Sequence, residues 1–193
     1  SELLSLGIPD MRLQHLPKIL NDLLADTNML RLDQPDGLSS EDYQRAQDLQ
    51  PRFTEVCAEL AAIGIPETIN HGDFHDGNVL INNGNITLFD WGDGSLTHPF
   101  VTLRTFFVSI EIALELDDYS FTPEMKDLLN IYLEPFQRFA SQEKLLIAFS
   151  LSRPVATVVK TFAWHQTISR LDPSSREEYQ TILPELFREF LEY

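Results

Sequence analysis

The sequence contains one cysteine, Cys57, among 193 residues. A single thiol excludes an intrachain disulfide framework. The apolar neighbours of Cys57, on a helical pattern, mark it as a small core residue rather than a nucleophile. Basic residues are scarce as well, with 14 Lys and Arg against 30 Asp and Glu, a formal net charge of -16. Such a chain repels phosphate backbones, which excludes general nucleic-acid binding. The acidity instead favours cationic ligands and divalent metals, although acidity also serves simple solubility. No uninterrupted apolar run reaches the roughly 18–20 residues that span a bilayer. The richest stretch, from Leu145 to Trp164, is broken by Ser150, Ser152, Arg153, Pro154 and Lys160. The N-terminus lacks the basic start of a secretory signal, so a cytoplasmic protein with no membrane partner is expected.

Aromatic and aliphatic residues are plentiful. Hydrophobic residues make up 43% of the chain, and thirteen Phe and two Trp supply large core side chains. That is ample for a folded unit, and the length fits one domain or one large lobe of a two-lobed protein.

Leu13, Leu16, Ile19, Leu20, Leu23 and Leu24 fall at helical spacing in the first 35 residues. Asp33 to Ser40 reads as a loop, and Ser39 or Ser40 caps a long helix toward Ile63, stopped by Gly64 and Pro66. Pro51 is expected to bend or split that helix. Between Thr68 and Trp91 the apolar runs shorten. Val79 to Ile81 and Ile86 to Phe89 read as strands joined by a tight Asn83-Gly84 turn. Helices are predicted again from Phe100 to Leu116, from the Thr122-Pro123 cap, and from Ser141 to Ser169 with a kink or break near Pro154. A last helix is predicted from a Ser174-x-x-Glu177 capping box. The fold class is therefore α+β and mainly α-helical, with one small β-hairpin.

Polar residues crowd at that hairpin. The segment runs His71-Gly-Asp73-Phe-His75-Asp76-Gly-Asn78, then Phe89-Asp90-Trp91. Asn78 begins the first strand and Asp90 ends the second, so hairpin pairing folds Asp90 back beside Asn78. An Asn carbonyl and an Asp carboxylate are hard oxygen ligands suited to Mg²⁺. Asp73, free of the metal, is placed to orient a substrate hydroxyl. A base with two metal ligands is the part list of phosphoryl transfer, where positioning and electrostatics do most of the work.

His71-x-Asp73-x-x-x-x-Asn78 resembles the catalytic-loop motif of the aminoglycoside phosphotransferase and choline kinase group, and Phe89-Asp90-Trp91 is similar to its second motif. The resemblance implies a protein-kinase-like fold, with residues 1–193 as the C-terminal lobe and the hairpin carrying the catalytic loop. It implies Asp73 as catalytic base, Asn78 and Asp90 as Mg²⁺ and nucleotide ligands, and His71 as an internal brace. The reaction it implies moves the γ-phosphate of ATP to a hydroxyl of a small molecule such as an amino-sugar or choline. Upstream of residue 71 there is no Gly-rich phosphate loop and no strand-borne Lys, so the N-terminal ATP-binding lobe is expected to be missing from this chain, leaving it inactive by itself. The sequence departs from the family at Thr97-His98-Pro99, where a Gly-Asp-Pro step is usual, and at Thr102, where an Asp is usual.

Two other readings stand beside this one. One is a non-catalytic pseudokinase or scaffold lobe. The other is a zinc hydrolase using His71, Asp73 and His75, which leaves Asn78 unexplained. His71 and His75 are expected to be structural hydrogen-bonders. Trp91, Phe106, Phe107, Phe149, Phe162 and Trp164 are expected to pack the core rather than line a substrate pocket. The acidic pairs Asp117-Asp118 and Glu177-Glu178 are expected to be solvated helix-end residues.

Overall fold

The computed structural model describes residues 2–116 and 121–193. The chain is mainly helical, in the order α1 (Glu2–Ser5), α2 (Leu16–Ala25), α3 (Ser40–Asp48), α4 (Gln50–Ala62), β1 (Thr68–Asn70), β2 (Val79–Asn82), β3 (Asn85–Leu88), β4 (Ser95–Thr97), α5 (Leu103–Ala113), α6 (Pro123–Leu133), α7 (Gln142–Arg170), α8 (Pro173–Arg176) and α9 (Ile182–Phe190). The pair Asp117-Asp118 lies outside the described residues.

Local chemistry explains most boundaries. Ser39 caps α3 by accepting the Asp42 N–H, and Thr122 caps α6 by accepting the Met125 N–H. Pro51 splits the predicted long helix: α3 ends at Asp48 and Pro51 sits in the first turn of α4, where a missing N–H costs nothing. Asn83 and Gly84 both take positive φ, 49° and 78°, closing the β2–β3 hairpin with a left-handed two-residue turn.

Four expectations need correction. Pro154 does not break α7, which runs 29 residues from the Ser141 cap. The carbonyl that proline deprives of a partner belongs to Ser150, which is exposed and can turn to water, while buried Val155, Val158 and Val159 hold the next turns in the core. The Ser174-x-x-Glu177 box is not formed. Asp172 is the cap instead, accepting N–H bonds from both Ser174 and Ser175, because its carboxylate outcompetes a serine hydroxyl as acceptor. The helix predicted from Phe100 begins as a 3₁₀ turn over Pro99–Thr102 and ends at Ala113 rather than Leu116. A second ladder was not anticipated, in which β4 pairs antiparallel with β1, Asn70 facing Ser95. Asp10 adds a parallel bridge to Leu96. Three-residue strands carry too little periodicity to read from sequence.

α7 is the axis of the core, packed against α2, α4, α9 and the 3₁₀ turn. By length and composition it could cross a bilayer, with a mean hydropathy of 1.4 over its most apolar window, but 56% of that window is buried among the other helices. Its apolar partners include Leu16, Leu20, Leu60, Phe100 and Phe187, all at most 2% exposed. Both two-stranded ladders precede α5, and the loop between β1 and β2 is held against the flank of α7. The long helix is thus the wall on which the polar loop is mounted.

Candidate active site

The loop from His71 to Asn78 joins β1 to β2. Gly72 takes φ +81°, and a Cβ there would meet the Asp93 carbonyl oxygen at 2.2 Å. Only glycine lets the chain pass that close to the β3–β4 connection. His71 is 4% exposed. Its Nε2 lies 2.8 Å from the Phe89 carbonyl and its Nδ1 accepts the Asp73 N–H at 3.3 Å. That pairing places the ring proton on Nε2. The imidazole also lies against Trp91, with ring centroids 4.6 Å apart. Both nitrogens of His71 are therefore committed to backbone on the two sides of the loop.

His75 is structural too. Its Nδ1 accepts the Gly77 N–H, capping the 3₁₀ turn Asp76–Asn78, and its Nε2 lies 3.4 Å from Asp73 Oδ2. With both His71 nitrogens occupied, the zinc-ligand reading loses its first ligand. Among the described residues no cluster of three or more His, Cys, Asp or Glu is arranged for a metal.

Asn78 is 7% exposed, and its amide nitrogen donates to the Asp73 carbonyl at 2.9 Å and faces Asp73 Oδ2 at 3.4 Å. That orientation turns Asn78 Oδ1 the other way, where it accepts no hydrogen bond from any described residue. The Phe89 N–H bonds the Asn78 carbonyl at 3.2 Å, which places Asp90 one residue past the strand partner of Asn78. Asp90 adopts φ +59°, a left-handed conformation that costs a non-glycine residue about 1 kcal/mol and turns the chain sharply off β3. Its carboxylate is exposed. An amide oxygen free of hydrogen bonds and an exposed carboxylate at neighbouring hairpin positions are of the chemical type that a hard divalent cation takes.

Two residues of the cluster were missed in the sequence. Lys160 projects from α7 and its Nζ lies 3.0 Å from Asp73 Oδ1, 3.2 Å from Asp93 Oδ2 and 3.4 Å from the Gly72 carbonyl. Its side chain is only 14% exposed. Burial alone would raise the pKa of Asp73, but the charge and hydrogen bond of Lys160, with His75 behind them, outweigh it and hold the carboxylate below its ordinary value. Asp73 is thus kept ionised and aimed. The signal for Lys160 was a lone cation directly after a buried, mostly apolar run, Val155 to Val159; nothing in the spacing said which acid it would meet. Asn70, at the end of β1, is 3% exposed and neither amide atom has a hydrogen-bond partner among the described residues; it lines a small cavity shared with Lys160 and Asp93.

The segment that departs from the family pattern is fixed in another way. His98 is fully buried, and its Nδ1 accepts the Phe100 N–H, capping the 3₁₀ turn. Burial pushes its pKa down to about 3, so the ring is a neutral cap where the resemblance implies a carboxylate.

A wide cleft of about 980 Å³ opens between α5, α7 and α9, and Lys160 is part of its wall. Phe107, Phe149 and Trp164 pack in or against the core, as expected, and one side of each also forms part of the cleft wall. Trp91 is 44% exposed at the hairpin. Phe106 and Phe162 are half-buried against the core, as expected.

No curated protein and no solved structure matches the chain significantly. The model of the phosphotransferase enzyme family does match, over residues 7–105, which takes in the whole loop from His71 through Asn78, the hairpin and Asp90. With the motif order, the hairpin that joins its halves and a match over just more than half its length, the chain belongs to the phosphotransferase enzyme family.

Proposed function

We propose that the chain is the large lobe of a kinase-like enzyme that transfers the γ-phosphate of ATP, with Mg²⁺, to a hydroxyl of a small molecule. The observation that carries this reading is the ionised Asp73, clamped between Asn78 and Lys160 on the loop that the family match covers. In the reaction the acceptor hydroxyl loses its proton to Asp73 as its oxygen bonds the γ-phosphorus. The bond from that phosphorus to the bridging oxygen breaks, and ADP leaves with the electron pair. Asn78 Oδ1 and the Asp90 carboxylate would hold the metal, which neutralises phosphate charge when bound. Lys160 keeps Asp73 from rotating away and His71 keeps the loop against Phe89.

The hairpin supports a second lobe. Leu80, Ile81 and Ile86 are 56%, 69% and 69% exposed, and Phe89 is 47% exposed. Ile81 and Ile86 pair on one side of the ladder and Leu80 lies on the other, so both sides of the hairpin carry exposed apolar surface, and a nucleotide-binding lobe resting there would complete the ATP site. We place the protein in the cytoplasm and expect a cationic group on the acceptor, in keeping with the net charge of -16.

The test is phosphate transfer from labelled ATP by the full-length protein to a panel of amino-sugars, amino-alcohols and hydroxylated metabolites, with Asp73→Asn alongside. Transfer that disappears in the folded variant upholds the reading. Absence of transfer together with absence of Mg²⁺-dependent ATP binding overturns it in favour of a scaffold lobe.

A further inference from the structure

The charge of the cleft differs from that of the chain. Arg104, Arg153, Lys160 and Arg188 line it, four of the chain's 14 basic residues, against four of its 30 acids. The lining is thus balanced in charge although the chain is strongly acidic, so attraction of a simple polycation does not explain the site.

Three of those cations are already engaged. Arg104 forms a two-pronged ion pair with Glu189, Lys160 holds Asp73 and Asp93, and Arg188 bonds the carbonyl oxygens of Asp36 and Gly37. Arg153 is different. Its guanidinium stacks over the Tyr193 ring at 5.1 Å and makes no hydrogen bond or ion pair with any described residue. Glu111, on α5 across the cleft, is half-buried, and its carboxylate equally makes no hydrogen bond or ion pair with any described residue. Burial holds the Glu111 carboxyl above its ordinary pKa while the charge of Arg153 acts the other way, and no ion pair joins the two. Beside them Phe107, Phe121 and Phe149 form an aromatic cluster, with centroids 4.8 to 6.0 Å apart. Such a wall lowers the local dielectric and strengthens any ion pair made there.

Arg153 and Lys160 are seven residues apart on α7, two turns and roughly 10 Å along one face. One end of the cleft therefore offers an unpaired cation and an unpaired carboxylate, and the other reaches the ammonium that holds Asp73. We infer that the acceptor is a zwitterion of the hydroxylated amino-acid type, its carboxylate on Arg153, its ammonium on Glu111 and its hydroxyl directed toward Asp73. The assignment rests on the phosphotransferase reading above and narrows its acceptor class.

The test pairs serine, homoserine and hydroxynorvaline with ethanolamine, aminopropanol and aminobutanol, which keep the chain and amine but lack the carboxylate. Binding to the full-length protein is followed by calorimetry, and transfer from MgATP is followed separately. The expected result is tighter binding and lower KM for one amino acid than for its amino-alcohol counterpart. Arg153→Met is expected to raise the KM of the amino acid roughly tenfold more than that of the alcohol, with Arg153→Lys recovering part of the loss. Binding of the amino acid without any phosphate transfer upholds the ligand class and overturns the kinase reading. Equal or better use of the amino alcohols, with no response to Arg153→Met, overturns the zwitterion and leaves the kinase reading standing. Failure of every amino acid to bind also overturns it.

Discussion

Lys160 Nζ lies 3.0 Å from Asp73 Oδ1, joining a helix to a loop across 87 positions of sequence. The contact fixes both the charge and the direction of the candidate base. A lysine shared between Asp73 and Asp93 cannot swing toward either without losing the other, so the three side chains act as one rigid group.

Replacing Lys160 with Met removes the cation that offsets the burial of Asp73. The pKa of Asp73 is then expected to rise, so the acid limb of the kcat/KM profile moves to higher pH. Lys160→Arg, which keeps the charge, should leave the limb near its original position. Loss of aim is expected to lower kcat by roughly a hundredfold in the Met variant. An unmoved acid limb in a folded Lys160→Met protein would show that Lys160 does not tune the base.

Asp73→Asn is expected to lower kcat about 10²- to 10⁴-fold, the usual worth of a positioned base, with a much smaller effect on acceptor KM. Asn78→Ala and Asp90→Ala should instead raise the Mg²⁺ concentration for half-maximal rate by about tenfold or more. A magnesium titration of the three variants separates the two roles.

His98 is neutral in the folded chain because burial drives its pKa down to about 3 from an ordinary 6.5. An unfolded chain binds this proton below 6.5 while the folded one refuses it until about 3. Stability from this group is therefore complete above pH 6.5 and declines as pH falls toward 3, by about 5 kcal/mol at most. His98→Asn can still cap the turn but does not titrate. Its melting temperature should fall less steeply with acid between those limits than that of the parent.

Cys57 is 3% exposed, and burial pushes its thiol pKa up to about 12. Alkylation of the native protein at pH 8 is expected to be negligible, with full labelling in denaturant. Rapid labelling of the folded chain would mean that α4 opens on the timescale of the assay.

Much of the molecule was legible in order. Helices α2, α3, α4 and α6, the Ser39 and Thr122 caps and the Asn83-Gly84 hairpin follow from local periodicity and turn chemistry, both properties of a few adjacent residues. Asp73, Asn78 and Asp90 were also singled out from their places about the hairpin, which converts a gap in sequence into a neighbourhood, whereas His71 was named only from the resemblance of its motif. Pro154 shows the limit of such reasoning: proline marks a break locally, yet tertiary packing on the following valines keeps α7 continuous.

Local pattern was enough for a mainly helical chain, a polar loop on a hairpin and the residues of a phosphotransferase motif. It took the packed chain to show that β1 pairs with β4, that Lys160 is the partner of Asp73, and that Arg153 and Glu111 line one cleft without an ion pair. Periodicity says which face of a helix is buried, since that depends on residues three and four apart. Which acid meets a cation on that face depends on packing between segments tens of residues distant, which no local pattern carries.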